Sequence, residues 1–211
     1  MKTISTTLVL MILLTTVTVS AQKTSVGFTA GATFSKVKAK ADNISLSSDF
    51  KPGFTAGIII DVPLSTNLSF QPALNYTQKG GTFKEEGETD KMTLNYLEIP
   101  LNFIYSTGAN QGFFVGAGPA LSYGLSGKEK FSDPSIVEPT KIKFGSDDEE
   151  LKPFEFSANI ISGYRFAKGF MLSANYNLGL TSLANADSDE GTLKNSYFAI
   201  KVGCLLNGKG K

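Results

Sequence analysis

The stretch "NYLEIPLNFIYS" at residues 95–106 alternates bulky apolar side chains with polar or small ones. One face of an extended chain would carry its large apolar side chains, which are Leu97, Ile99, Leu101, Phe103 and Tyr105. The other face would carry a carboxylate, Glu98, and an amide, Asn102. A period of two residues is typical of a β-strand with two unlike faces. The stretch therefore predicts a strand whose faces meet two different surroundings.

The same alternation recurs along the chain, in segments 26–35, 53–62, 68–78, 112–124, 154–166, 170–180 and 196–206. Short links alternate with long polar connections, which cover residues 36–52, 79–91, 125–153 and 181–195. In an antiparallel meander this arrangement places every tight turn at one end and every long loop at the other. The pattern predicts an all-β fold, an eight-stranded antiparallel up-and-down transmembrane β-barrel.

The size of such a barrel decides which face is outside. Eight strands enclose an interior just wide enough for side chains to fill. The polar face holds Asp61, Glu98, Arg165 and Lys201 among glycine, serine and asparagine, which fit that space, whereas the phenylalanines and leucines would overfill it. The apolar face is therefore expected to meet lipid. A soluble barrel with its apolar face around a ligand is the alternative.

Charges inside a barrel need partners, because an unpaired buried charge costs several kcal/mol. Glu98 and Lys201 fall at similar depth, and Asp61 and Arg165 both fall near the tight-turn end. We therefore expect a lumenal charge network of two pairs, Glu98 with Lys201 and Asp61 with Arg165. A charge-lined channel is the alternative, and the narrow lumen favours a packed interior.

The N-terminus predicts export. Lys2 precedes a short apolar segment, and small residues end at Ala21, as in a secretory signal peptide. This predicts a signal peptide at residues 1–21 and an outer-membrane barrel domain at 22–211, reached through the periplasm. Net charge is +1, which gives no electrostatic reason to expect a nucleic-acid partner.

Little in the sequence indicates a catalytic or metal-binding function. The chain has no histidine, so a Ser-His-carboxylate triad cannot form, and no His/Cys zinc cluster exists. We expect no enzymatic activity, no metal site and no cofactor. Two acidic loop segments are candidate cation contacts, with solvated loops as the favoured interpretation: Asp147, Asp148, Glu149, Glu150, Asp187 and Asp189.

Several segments together resemble the PorT-like outer-membrane β-barrel family, of the general OmpX type. They are "GFTAGATFS", "KPGFTAGI", "LSFQPALNYTQKGG", "YLEIPLNF", "FFVGAGPALSYGLSG", "GYRF" and "YFAIKVGCLL". The resemblance covers essentially all of residues 22–211, and "YLEIPLNF" is its most specific part. It implies an integral outer-membrane barrel; some relatives are linked to protein secretion and others to adhesion or envelope maintenance.

The function expected from these observations is a structural or surface-interaction role, in adhesion or the envelope, through long external loops. The alternatives are a small transport pore and an accessory component of a protein-secretion machine. Expected partners are outer-membrane lipid, lipopolysaccharide and a protein bound at the external loops. We expect a monomer.

Overall fold

The computed structural model describes residues 24–41, 44–85, 88–108, 111–131, 139–147, 150–185 and 191–206, so the expected signal peptide lies outside the described residues. These ranges form ten β-strands: β1 (Ser25–Ala41), β2 (Ile44–Ser47), β3 (Lys51–Pro63), β4 (Leu68–Glu85), β5 (Glu88–Ser106), β6 (Gly112–Lys130), β7 (Thr140–Ile142), β8 (Phe154–Arg165), β9 (Phe170–Gly179) and β10 (Thr192–Leu206). No helix in this part of the chain is long and apolar enough to cross a membrane, a finding that does not bear on membrane strands.

Eight long strands close into a ring. They pair in the order β1-β3-β4-β5-β6-β8-β9-β10, and β10 pairs with β1, all antiparallel. The two short strands lie outside the ring path, β2 on the end of β1 and β7 on the end of β6. The predicted eight-stranded antiparallel up-and-down barrel is confirmed.

The two faces of the wall lie as the alternation predicts. Large apolar side chains point away from the axis, and Phe113 and Phe28 are 68% and 54% exposed. Polar side chains point inward, where Glu98 is 1% exposed and Asn177 is 0% exposed. Aromatic pairs lie near both ends of the outward face, with Phe113 against Tyr164 at the tight-turn end and Tyr123 against Phe154 at the loop end.

The structure corrects the predicted loops. Residues 79–91 are almost entirely strand, because β4 and β5 continue as a paired hairpin to Glu85 and Glu88. β6 likewise continues to Lys130, where β7 adds a fourth strand at its edge. We call this projecting four-stranded sheet the extension; it comprises residues 80–85, 88–96, 124–130 and 140–142. Paired backbone groups keep it extended although its sequence is polar.

Gly80 lies where β4 passes from the ring into the extension. Its φ is +135°, a backbone conformation that residues with a side chain rarely adopt. A Cβ atom at this position would also lie 2.0 Å from the carbonyl oxygen of Met92 on the neighbouring strand. Glycine is therefore required both by the backbone angle and by the close approach of β5.

The interior is layered along the axis. Nearest the tight turns lie polar groups around Asp61, followed by two apolar clusters, one of which contains Ile104, Phe114 and Ile161. Buried asparagines and a group of charges occupy the middle. At the loop end an apolar cap covers the charges, built from Leu94, Tyr96 and Leu183 with Met92, Ile142, Phe144, Leu151 and Leu193 packed against them.

Candidate functional site

The first lumenal charge site lies at the tight-turn end of the ring. Arg165 Nη2 of β8 lies 3.3 Å from Asp61 Oδ2 of β3, and both side chains are nearly buried. The other carboxylate oxygen of Asp61 accepts hydrogen bonds from Ser69 Oγ at 2.8 Å and Gln71 Nε2 at 3.2 Å. The structure thus brings together the two residues that the sequence pairs here, and it adds two neutral donors from β4.

The second site, the central charge cluster, is built around Lys79. Its ammonium group uses all three protons, since Nζ lies 3.0 Å from Glu98 Oε2, 3.0 Å from Glu155 Oε1 and 3.1 Å from Ser122 Oγ. Lys79 and Glu155 are 0% exposed and Glu98 is 1% exposed. A lysine at this depth is stable only with such complete pairing, because its desolvation is costly.

Aromatic rings complete this cluster. The Tyr197 hydroxyl of β10 donates a hydrogen bond of 2.5 Å to Glu98 Oε1 of β5. The Lys79 ammonium group also lies 4.9 Å from the centre of the Tyr96 ring and 5.3 Å from that of Tyr197, within cation–π range. Because β10 and β5 stand on nearly opposite sides of the ring, these contacts bridge the lumen.

The structure differs from the prediction for Glu98. Its ion-pair partner is Lys79 of β4 and not Lys201. Lys201 does point inward and is 8% exposed, but in the described parts of the chain it forms no ion pair. Strands in a barrel are tilted and staggered, so residues counted to the same depth along two strands need not meet across the lumen.

Three residues of the cluster were absent from the predicted network, namely Lys79, Glu155 and Tyr197. A signal for Lys79 does exist in the sequence. The inward positions of β4 run Ser69, Gln71, Ala73, Asn75, Thr77 at every second residue, and one further step reaches Lys79. The glycines at 80 and 81 resemble the start of a turn, which is why the predicted strand ends at Gln78.

Side-chain contacts cross the lumen at several levels. The Lys79 contacts join β4 to β5, β6 and β8, and the Tyr197 hydroxyl reaches across from β10. Above this layer Leu94 and Leu183 are both 0% exposed within the apolar cap. An apolar layer therefore lies over a buried charge cluster in which one ammonium group contacts two carboxylates.

The comparisons with known proteins agree with this architecture. The family model described as "Outer membrane protein beta-barrel domain" matches residues 20–185. The chain belongs to this outer-membrane barrel family. No curated protein matches the chain.

The chain is also similar, at low sequence identity, to several solved structures. Ail of Yersinia pestis, solved with the heparin analogue sucrose octasulfate, is 14% identical, with a TM-score of 0.44 over 88% of this chain and 100% of that one. Neisserial surface protein A is 13% identical, with a TM-score of 0.49 over 87% and 99%. The Escherichia coli outer membrane protease OmpT is 12% identical, with a TM-score of 0.38 over 90% and 98%.

Membership of the outer-membrane barrel family places the protein in the outer membrane of the cell. The outward apolar face of the ring is therefore the lipid-facing surface, and the aromatic pairs near its two ends lie where the membrane meets water. Outer-membrane barrels keep short turns on the periplasmic side and longer segments outside. By this rule the end of the barrel that carries the extension and the apolar cap is the external end.

The candidate cation contacts fall only partly within the described residues. Asp147 and Glu150 are described, and the Glu150 amide donates to the Asp147 carbonyl oxygen at 2.9 Å. Asn185 Nδ2 lies within hydrogen-bond distance of three carbonyl oxygens of this loop, those of Gly145, Asp147 and Glu150. Asp148, Glu149, Asp187 and Asp189 lie outside the described residues. Among the described residues no group of three or more His, Cys, Asp or Glu side chains forms a metal site.

Proposed function

We propose that the protein is a closed, non-conducting outer-membrane barrel whose external extension serves as a surface-interaction element, in adhesion or envelope structure. The proposal includes export by a signal peptide at residues 1–21, a monomeric state, and no enzymatic activity. The narrower resemblance to PorT-like barrels is part of the same proposal. The single observation that carries it is the buried bridge of Lys79, Glu98 and Glu155 across the lumen.

The closed lumen argues against a transport role. A conducting pore lines its lumen with hydrated groups, whereas the Lys79 and Glu155 side chains are 0% exposed and Lys79 Nζ lies 3.0 Å from Glu155 Oε1. The apolar cap adds Leu94 and Leu183, both 0% exposed, between the charges and the exterior. Moving an ion along this axis would require breaking buried ion pairs and wetting an apolar layer.

The extension supports an interaction role. It continues β4, β5 and β6 beyond the outer aromatic residues Tyr76 and Tyr123, so that paired strands and not only loops project from the membrane. Binding residues are frequently carried on segments held by a rigid scaffold. An ordered sheet presents side chains at fixed spacing, which suits recognition of an external partner.

Conductance measurements test the closed lumen. The mature protein, reconstituted in planar bilayers at neutral pH, is expected to give no discrete current steps, while a 16-stranded porin in the same bilayer shows that the assay detects a pore. Reproducible single-channel steps from the wild-type protein would contradict the proposal and support the small transport pore.

Surface labelling tests the display of the extension. In a Cys204→Ser background, Ser126→Cys lies on the extension and Thr107→Cys lies in a tight turn, and both native side chains are exposed. A membrane-impermeant maleimide added to intact cells is expected to label the first variant and to label the second only after the cells are opened. The reverse pattern would place the extension in the periplasm and refute its proposed role.

A further inference from the structure

Lysines stand directly opposite one another at three places in the projecting strands. Lys38 of β1 pairs with Lys194 of β10, Lys91 of β5 pairs with Lys130 of β6, and Lys128 of β6 pairs with Lys141 of β7. Side chains opposite each other in antiparallel strands lie about 5 Å apart at Cβ, and like charges there are destabilising. Three such pairs need an explanation that a single pair would not.

All three pairs point away from the lumen. On β1 and β10 the neighbouring residues Val37 and Asn195 are 0% exposed and face inward, so Lys38 and Lys194 face the other way. On the extension the inward side holds Leu94 and Ile142 of the apolar cap. Lys91, Lys128, Lys130 and Lys141 therefore lie on the side that continues the lipid-facing surface.

The ion pairs of the described residues leave these lysines out. In the described parts of the chain none of the six forms an ion pair. Asp90 and Glu129 alternate onto the inward face of the extension, since Glu129 pairs with Met92 of the cap and Asp90 with Phe83. Asp49, bridged to Thr82 at the edge of β4, is paired with Lys84 at 3.0 Å.

Two of these lysines also act on a third lysine nearby. Burial, and then the charges of Lys128 and Lys91, lower the pKa of Lys51 at the start of β3. On the opposite face, burial and the charge of Asp90 raise the pKa of Glu129. Within the described ranges, the outward lysines therefore carry positive charge that no ion pair compensates.

The height of the lysines above the membrane indicates what compensates them. Lys38 follows the outward Phe34 by four residues, which is about 13 Å along a strand, or about 10 Å of height at the usual barrel tilt. The polar headgroup layer is roughly 5–8 Å thick on each side of the hydrocarbon. Lysine side chains are long and can reach down to that layer.

We infer that these opposed lysines form two binding sites for the phosphate groups of outer-leaflet glycolipid, one at the β1–β10 seam and one on β5–β6–β7. The two sites lie on opposite sides of the ring, because two strands separate them in either direction, β3 and β4 on one side and β8 and β9 on the other. A phosphate between two ammonium groups converts a repulsive pair into a bridged one. The protein would thus be held upright by phosphorylated lipid on two sides.

The test compares stability in two membranes. The mature protein is placed in phosphatidylcholine nanodiscs that contain either bisphosphorylated lipid A or the same lipid with its phosphates removed. A triple variant removes one lysine from each pair: Lys130→Thr, Lys141→Thr and Lys194→Thr. A control triple with the same change of charge removes exposed lysines outside the opposed pairs: Lys84→Thr, Lys143→Thr and, because residue 168 has a φ of +67°, Lys168→Asn.

The expected result is that the change in unfolding temperature caused by the paired triple has opposite signs in the two membranes. With dephosphorylated lipid A, the paired triple should unfold at a higher temperature than the wild type, because repulsion is relieved. With bisphosphorylated lipid A it should unfold at a lower temperature, and its enrichment of that lipid, counted by native mass spectrometry, should fall roughly 100-fold. The control triple should show no change of sign and should keep most of the enrichment.

Three results would overturn the inference. One is the same sign of shift in both membranes, and another is an equal loss of lipid enrichment by the control triple. The third is full stabilisation of the wild type by inorganic phosphate in the nanodiscs that contain dephosphorylated lipid A, which would assign the sites to a soluble anion. The inference rests on the proposed function for its external position, yet these nanodiscs carry the same lipid in both leaflets, so a failure here would leave the labelling and conductance results unaffected.

Discussion

The two charge sites of the lumen share a chemistry and differ in depth. At the periplasmic end Arg165 and Asp61 are 12% and 7% exposed, and Asp61 keeps two neutral donors besides the arginine. In the central charge cluster Lys79 is the one cation contacting two carboxylates, and its side chain and that of Glu155 are 0% exposed. If Arg165 is lost, Asp61 keeps two other hydrogen-bond donors. If Lys79 is lost, Glu98 and Glu155 have no second cation among the described residues in contact with them.

The difference teaches that the same type of ion pair can be replaceable or indispensable according to its solvent access. Near a barrel mouth, water can replace a lost partner, so a broken pair costs little more than its own net interaction. In a filled lumen the group that remains keeps its charge without compensation, and this costs several kcal/mol. Removing single partners from each site measures this contrast.

The largest effect is expected from Lys79→Met. The substitution leaves Glu98 and Glu155 buried together without a cation, and it should lower the free energy of unfolding by about 3–5 kcal/mol in urea titrations in lipid vesicles. Lys84→Met removes an exposed lysine from the same strand and should change it by less than about 0.5 kcal/mol.

A neutralised version of the cluster separates lost charge from lost packing. Adding Glu98→Gln and Glu155→Gln to Lys79→Met should recover most of the lost free energy, because no uncompensated charge remains. If the added substitutions recover nothing, packing of the lysine stem and not its charge stabilises the cluster.

A smaller effect is expected from Tyr197→Phe. It removes the hydroxyl that donates to Glu98 Oε1 across the lumen, and a hydrogen bond to a charged group contributes about 2 kcal/mol. The measurement is the same urea titration, with Tyr105→Phe on the lipid face as the matched control. Equal effects of the two substitutions would mean that the bridge from β10 to β5 contributes nothing to stability.

The smallest effect is expected from Arg165→Met at the periplasmic end. Asp61 retains its bonds from Ser69 and Gln71, and the mouth admits water, so the loss should be about 1 kcal/mol in the urea titration. Lys168→Met in the adjacent turn controls for the loss of charge. A loss as large as that of Lys79→Met would show that solvent access does not decide the cost.

The sequence was sufficient for the wall of the barrel and for one charge site. Period-two alternation identifies the eight ring strands and their lipid-facing residues, because inside and outside impose opposite demands on neighbouring side chains. Asp61 and Arg165 could be paired since both are inward residues near tight turns, where the strand ends are well marked.

The central cluster and the extension were not predictable in the same way. Beyond Lys79 the outward face no longer meets lipid, and on β5 the apolar residues Met92 and Leu94 lie on the inward side. The outward apolar pattern that identifies the ring strands therefore ends there, and the extension is read as a loop. The partner of Glu98 depends on the stagger of the closed ring, a property of all eight strands together that counting along two of them does not reveal.

The pairing of the first ring strand with the last, from Val26 opposite Leu206 to Lys40 opposite Thr192, has a consequence for biogenesis. The ring cannot be completed until the last ring strand, β10, has been delivered, and contacts so distant in sequence form slowly. Tyr197 arrives on that final strand, so Glu98 gains its phenolic donor only at closure. The charged side chains inside the barrel therefore lose their water when the ring closes, which is the last step of assembly. A chain truncated before β10 would leave these charged side chains exposed to the folding machinery.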